Sequence, residues 1–464
     1  MAPGDKSSTS NTNPFRIAII GGGIGGLTTA LFLQHFCTGA GKCGSPTSLN
    51  PIDIDVNIYE QAPSYRDTVG AGIGIGVNAT KLLHRIEGLG DAVNAIAGEK
   101  DGIWFTLRRF DNSEEITTVY SNDDGKIKQA AVARPELLAV LRSFVEKNGA
   151  ARVTLGKKCR AVEDLGKGVR MRFEDGTSAE ADLVIACDGI HSAVRQQFIQ
   201  DKAVYSGKFI YRGTVPITDL PSPWPFPSYS TMWIGSGKHV VVYAISANQR
   251  LNFVGCVSKS EDKIRDFRES WSLTCDRKEL EQEFSDCDEL VQKIIKLLPE
   301  RPSKWLINDR DPLAKWTFMG GKVALLGDAA HAMVPHQSAG GGQAIEDAYI
   351  ISKALAEYLD EKRTNRARAP GLEKWMNLYQ TIRLPRSQRV QETSREAGLL
   401  FQLQVPEMQG KSYDESLPIL VEGVNGRFKW IWSEDIDVAY DRARTELLEN
   451  EAVRRSKRGW CFCM

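Results

Sequence analysis

The sequence has no excess of either charge: 59 Lys and Arg balance 59 Asp and Glu, for a formal net charge of zero. Nucleic-acid binders ordinarily carry a basic excess or stripe, so the charge balance gives that class no support and no nucleic-acid partner is expected. There is no run of about 18 apolar residues, the length a helix needs to span a bilayer. None of the nine cysteines forms a Cys-x-x-Cys pair. A disulfide framework or a zinc ribbon is therefore not expected, and the cysteines fit a reducing, cytoplasmic setting. Only six histidines occur. In sequence, His35, His84, His191 and His239 show no metal-ligand clustering, and no metal is expected. Residues 1–14 lack an apolar stretch and read as a disordered tail and not as a signal peptide.

What is present begins with 464 residues of 42% hydrophobic content, enough for a substantial core. The apolar run Phe15–Ile20 leads into Gly21-Gly22-Gly23-Ile24-Gly25-Gly26. Gly21, Gly23 and Gly26 fit G-x-G-x-x-G. The first glycine permits a tight turn, the second lets a pyrophosphate approach the backbone, and the third lets helix pack on strand. A helix from Ile24 to about Phe36 directs its N-terminal N–H groups at the phosphates. The strand Val56–Tyr59 ends in Glu60, a carboxylate suited to a ribose hydroxyl pair. The residues between, Thr38–Pro51, read as a loop insertion.

A second apolar run, Val323–Leu326, leads into Gly327-Asp328-Ala329-Ala330-His331, followed by Pro335 and Gly340-Gly341-Gly342. This turn supplies an acid to the other half of the same cofactor, and the pair of signatures points to FAD over NAD. In the middle, residues 131–147 are helical, with Pro135 in the first turn. Val169–Phe173 and Ala181–Ile185 read as a hairpin about Glu174–Thr177, and Cys187-Asp188-Gly189 follows. Short β-rich runs at Lys208–Pro216, Thr231–Ile234, His239–Ala244 and Leu251–Val257 predict an inserted antiparallel sheet. Ser260–Leu298 is helical. So are Ala344–Leu359 and Glu373–Leu400, the latter broken or kinked at Pro385.

These motifs, in this order over residues 15–400, resemble the single-component FAD-dependent aromatic hydroxylases typified by para-hydroxybenzoate and salicylate hydroxylases, in their fungal phenol- and polyketide-modifying branch. Gly70-Ala71-Gly72-Ile73 and Ile345-Glu346-Asp347-Ala348 are lesser matches. The resemblance implies an α/β fold: a Rossmann-like FAD-binding domain (15–204 and 311–360), an inserted, mainly antiparallel substrate-domain sheet (205–310) and a C-terminal helical segment (361–464). It implies that Gly21, Gly23, Gly26, Glu60, Gly72, Arg134, Asp188, Asp328 and Gly341 bind FAD. Glu60 serves the adenosine ribose, Arg134 and Asp328 the ribityl–phosphate region, and Gly340–Gly342 the flavin N1–C2 edge. Asp188, Ser192 and Arg195 resemble the element that serves both FAD and the pyridine nucleotide. Arg212 and Tyr243 match substrate-anchoring positions and are the candidate catalytic residues. One departure stands out: Ser338 occupies a position where close relatives carry glycine.

The implied reaction uses NADPH or NADH, dioxygen and a flavin C4a-hydroperoxide to hydroxylate an aromatic small molecule. Epoxidation or oxidative dearomatisation is the alternative. Halogenation is disfavoured, because Glu434-Asp435 follows Trp430-Ile431-Trp432 where an Ile-Pro is required. Non-catalytic carriers of prenylated proteins share the fold but do not need both halves of the FAD site. The final Cys461-Phe462-Cys463-Met464, behind a basic run, has the length of a prenylation box and suggests weak membrane association.

Overall fold

The computed structural model describes residues 13–37, 52–65, 72–98, 101–121, 127–264, 273–364 and 371–461, without the side chains of 263–264 and 452–461. The tail up to residue 12, the loop 38–51, Gly70 and Ala71, and the last three residues of the Cys-Phe-Cys-Met tail lie outside these residues.

A six-stranded sheet forms the first layer. Phe15–Ile20 lies between Ile54–Tyr59 and Leu183–Ala186, all parallel. Arg152–Thr154 extends one side and Val323–Leu325 the other, with Thr317–Phe318 as an antiparallel edge. Ile17–Ile20 and Leu183–Ala186 are buried on both faces. That is why these runs are apolar without alternation. The helices Ile24–Cys37 and Gly340–Arg363 pack on the sheet through Leu27, Leu31, Phe32, Ile345 and Leu355.

The register places the function. Ile20 lies beside both Tyr59 and Ala186, and Ala186 lies beside Leu325. Four parallel strands therefore end at one edge and deliver Gly21, Glu60, Asp188 and Gly327-Asp328 to the same crevice. Ligands bind at this carboxyl edge in open parallel sheets.

The second sheet has seven strands: Ser303–Asp309, Val204–Pro216, Arg250–Ser258, Lys238–Ile245, Thr231–Gly235, Ile103–Arg109 and Glu115–Tyr120. It is antiparallel apart from the pairing of Thr231–Gly235 with Ile103–Arg109. It thus recruits two strands that precede residue 205. Phe105 and Leu107 pack against Val390, Phe401 and Phe428 of the C-terminal helices, which fixes Ile103–Arg109 in this layer.

Two local readings change. The hairpin pairs Val169–Phe173 with Ser178–Ala181, and Leu183–Ala186 belongs to the parallel sheet. The chain crosses between sheets at Asp182, whose carboxylate accepts from the Arg16 backbone at 2.8 Å. The helix Leu372–Leu400 runs through Pro385 uninterrupted. Buried Tyr379, Arg383, Arg386 and Val390 anchor it on both sides of the proline, so packing and ion pairs outweigh one lost hydrogen bond. Beyond it lie Tyr413–Val424, Lys429–Ser433 and Ile436–Cys461. Among the described residues, no helix is long and apolar enough to cross a membrane.

Candidate active site

The glycine turn is built by close approach. Gly21 has φ +104°, and a Cβ there would lie 2.3 Å from the Cys187 carbonyl oxygen. A Cβ at Gly26 would lie 2.0 Å from the Gly21 carbonyl oxygen, so the helix can sit this near the strand only with glycine there. A Cβ at Gly23 would meet nothing within 4 Å. That position is an open cradle, the space a pyrophosphate needs. Glu60 braces the turn: Gly22 N donates to Oε2 at 2.7 Å and Ala62 N to Oε1 at 2.8 Å. The Tyr65 hydroxyl donates to Gly22 O at 3.3 Å, a contact that no sequence motif announced.

Next along the edge, Asp188 accepts from Val194 N at 3.3 Å through Oδ2. Its Oδ1 is buried without a partner among the described residues, which suits a cofactor hydroxyl. Burial raises the carboxyl pKa, opposed by the Ser192 hydroxyl and backbone N–H groups. Ser192 caps the helix Ala193–Phe198, accepting from Arg195 N at 2.9 Å. Arg195 is fully buried; it pairs with Asp201 and donates to the Ala329 and Ala330 carbonyls, both at 3.1 Å. Its guanidinium ties this turn to the next one. Its donors are engaged by protein partners among the described residues.

Asp328, at the start of the short helix Asp328–His331, keeps exposed surface. Burial raises its carboxyl pKa, while the charges of His331 and Arg134 oppose the rise. Arg134 is exposed at the start of the helix Arg134–Lys147, so a cation and an acid act across one crevice. Behind Asp328 lies a buried network. Asp347 Oδ2 accepts from Gly327 N at 3.0 Å and His331 Nε2 at 2.6 Å, and Oδ1 from Arg383 Nε at 2.7 Å. Glu346 pairs with Arg383 and Arg386 and accepts from Asn78 at 2.5 Å. Burial alone would raise both carboxyls. The arginines, with His331 beside Asp347, outweigh it and hold each down to about 2.

The sheet and the turn at Pro335–Gln337 enclose a pocket with about 110 Å³ of water-accessible space. Trp104, Phe105, Met232, Val254 and Phe401 make apolar walls, and Arg212 and Tyr243 both border it. Alternation along Val204–Pro216 separates neighbours. Arg212 faces the pocket, and Tyr211 turns away to donate to Glu279 at 2.8 Å. The Arg212 guanidinium lies 5.1 Å from the Trp305 ring centroid, and its buried Nε has no partner among the described residues. Burial pushes the Tyr243 hydroxyl up to about 12 despite the Arg212 charge, so it is a neutral donor at pH 7. Gly72 N donates to Asn252 Oδ1 at 2.8 Å, and a Cβ at Gly72 would lie 2.7 Å from the Tyr243 ring. Gly341 opens the helix Gly340–Arg363 against Ile73. Ser338 adopts a left-handed conformation at φ 51° and ψ 33° on the pocket wall.

Two features escaped the sequence reading. The Asp347–Arg383 pairing joins two helices 36 positions apart; the Glu346-Asp347 match and the arginine-rich helix were its only signals. His239, Cys256 and His336 also meet on the pocket wall, although no clustering is visible in the chain.

Comparison with known proteins agrees with this geometry. A family profile described as an FAD binding domain matches residues 55–394. The chain is 32% identical to 6-methylsalicylate 1-monooxygenase of Aspergillus terreus over 442 residues, covering 92% of this chain and 91% of that protein. It is 29% identical to a salicylate hydroxylase of Pseudomonas putida, covering 94% and 96%. The solved structure of a salicylate hydroxylase substrate complex superposes with a TM-score of 0.72 at 26% identity, covering 93% of this chain and 98% of that one. With both ends of a flavin site on one sheet edge and relatives matched along nine-tenths of its length, the chain belongs to the single-component FAD-dependent aromatic hydroxylases and is an FAD-dependent monooxygenase.

Proposed function

We infer that this monooxygenase hydroxylates a small, electron-rich aromatic acid or phenol of the salicylate class, with NADPH or NADH and dioxygen as co-substrates. The observation that carries this reading is the pairing of Arg212 and Tyr243 on one apolar-walled pocket. Bound FAD, reduced by the pyridine nucleotide, supplies an electrophilic oxygen derived from dioxygen. The residues Gly21, Gly23 and Gly26 seat its pyrophosphate, Glu60 its adenosine ribose, and Arg134, Asp188 and Asp328 the phosphate and ribityl segment. Gly341 would present a backbone N–H to the ring edge, and Gly72, tied to Asn252, would allow the close backbone approach on the same side of the pocket as Tyr243.

Arg212 is a permanent cation. It binds the substrate carboxylate or phenolate and favours the ionised phenol, whose ring carbon is the stronger nucleophile. Tyr243 donates to the same oxygen. The apolar walls exclude water, which protects the oxygen-transfer step from wasteful peroxide release. The six described cysteines, all free thiols, suit a reducing compartment.

The test is Arg212→Ala with salicylate-type acids as substrates. Loss of a charge-assisted contact costs about 1.5–3 kcal/mol, so KM should rise roughly 10–150-fold. Product per NAD(P)H should fall as peroxide rises, with flavin content unchanged. Wild-type KM and coupling in this variant would refute the role. Product identification separates ring hydroxylation from epoxidation or dearomatisation.

A further inference from the structure

His239 and Cys256 are directly opposite in the antiparallel ladder between Lys238–Ile245 and Arg250–Ser258. Opposite side chains share a face with Cβ atoms about 5 Å apart. His336 closes on them from the turn Pro335–Gln337. One donor atom from each of the three residues, Sγ in the case of the cysteine, lies within 4.8 Å of the other two. His239 Nδ1 and His336 Nε2 are buried with no hydrogen-bond partner among the described residues. Buried side-chain polar atoms are ordinarily paired. Two orphaned imidazole nitrogens in one three-residue cluster are therefore unusual.

We propose that His239, Cys256 and His336 form a binding site for a zinc-class transition-metal cation on the wall of the substrate pocket, with a fourth coordination position open to the pocket. Two imidazoles and a thiolate are a borderline-to-soft donor set that suits zinc, and three protein ligands with one open position is a known zinc arrangement. With Zn–N near 2.0–2.1 Å and Zn–S near 2.3 Å, tetrahedral donors sit roughly 3.3–3.6 Å apart. From donor separations of up to 4.8 Å, the cluster must close by at most roughly 1.2–1.5 Å to reach that geometry.

The surroundings already resemble a ligand shell. Gln402 Nε2 lies 3.4 Å from Cys256 Sγ, a donor aimed at the sulfur, and outer contacts of this kind tune metal affinity. Lys208 is held by Gln402, with Ser258 at 3.4 Å and Gln404 at 3.3 Å. Its charge opposes a dication and keeps the site weaker than a structural zinc centre. All three ligands line the pocket that also holds Arg212 and Tyr243. A bound cation therefore competes with an aromatic acid for the same space. This competition rests on the substrate reading above; the metal site does not.

Cobalt(II) tests the site in the FAD-loaded, full-length protein, because tetrahedral thiolate-bound cobalt absorbs to the red of oxidised flavin. One equivalent per chain should give that band, and zinc should bleach it. Cys256→Ser and His239→Ala should each abolish it at unchanged flavin content, and Gln402→Leu should weaken cobalt binding about 10–100-fold. The cysteine variant is decisive because Cys461 and Cys463 offer a competing thiol pair. No band in the wild type, or a band that survives both ligand variants, overturns the proposal. Salicylate should displace the cobalt. A band that resists salicylate keeps the metal site and removes the substrate from this pocket.

Discussion

Asp347→Asn asks whether the second glycine-acid turn is held by charge or by packing alone. The carboxylate is fully buried and accepts from three donors, Gly327 N, His331 Nε2 and Arg383 Nε. Asparagine keeps the shape but has one acceptor oxygen. Its amide nitrogen must face either Arg383 or the Gly327–His331 pair, donor against donor. Removing one member of a buried ion pair costs about 3–5 kcal/mol. Arg383 retains Glu346 and the Gln343 side-chain oxygen at 2.7 Å, so the lower end applies. A loss of about 3 kcal/mol is roughly a hundred-fold in the folding equilibrium. Urea unfolding of the apoprotein reads that loss.

The same change should act on the cofactor separately. Where the amide nitrogen faces Gly327 N, that tether is lost, Asp328 loses its fixed position, and FAD affinity by fluorescence titration should drop. The double variant D347N/R383M should destabilise by less than the sum of the singles, since the two residues share one network. If D347N retains both the wild-type unfolding midpoint and wild-type FAD affinity, the turn is not organised by this carboxylate and the reasoning fails.

The same two acids set the acid limit of stability. Glu346 and Asp347 are held at about 2 in the folded protein, below the roughly 4 of an unfolded chain. Their contribution is complete above about pH 5 and fades as pH falls toward 2, on the order of several kcal/mol together; an unfolding midpoint that stays flat between about pH 6 and about pH 3 would contradict this. Ser338→Gly removes a left-handed strain of about 1–2 kcal/mol and adds unfolded-chain freedom of about 0.4–1 kcal/mol. The melting temperature of the holoenzyme should hold or rise by a few degrees, and a clear fall would show that the serine hydroxyl makes a needed contact. Gly23→Ala should leave apoprotein stability within about 0.5 kcal/mol while FAD is lost on desalting. Gly26→Ala should damage the fold itself, because its Cβ meets the Gly21 carbonyl at 2.0 Å. Equal apoprotein melts for these two variants would refute the division of labour.

The cofactor edge was largely legible because local chemistry specifies it. Unalternating apolar runs that stop at Gly21 and Gly327 announce buried strands with turns that only certain residues can make, whereas the run before Asp188 reads as a hairpin strand and joins the parallel sheet instead. Their convergence was not legible, since strand order is a property of the whole sheet. Ile103–Arg109 escaped assignment to the second sheet for the same reason: its neighbours Thr231–Gly235 and Phe401 come from elsewhere in the chain. Pro385 misled, because a local penalty was weighed without the buried arginines that outweigh it.

The His239–Cys256–His336 cluster is the clearest case of information that spacing does not carry. Its first two members are brought together by ladder register, not by any ligand motif. That register is set by the turn that joins the strands, where Ser246, Ala247 and Asn248 all take positive φ. None of the three is glycine, so the left-handed run is imposed on residues that resist it. Glu136 helps to hold the turn, accepting from the Ser246 hydroxyl at 2.7 Å. A slip of one residue would set His239 against Gly255 or Val257 and carry Cys256 to the opposite face. The pocket chemistry proposed for this wall therefore depends on a strained surface turn far from any donor atom. Shortening or relaxing that turn should abolish cobalt binding before it abolishes FAD binding.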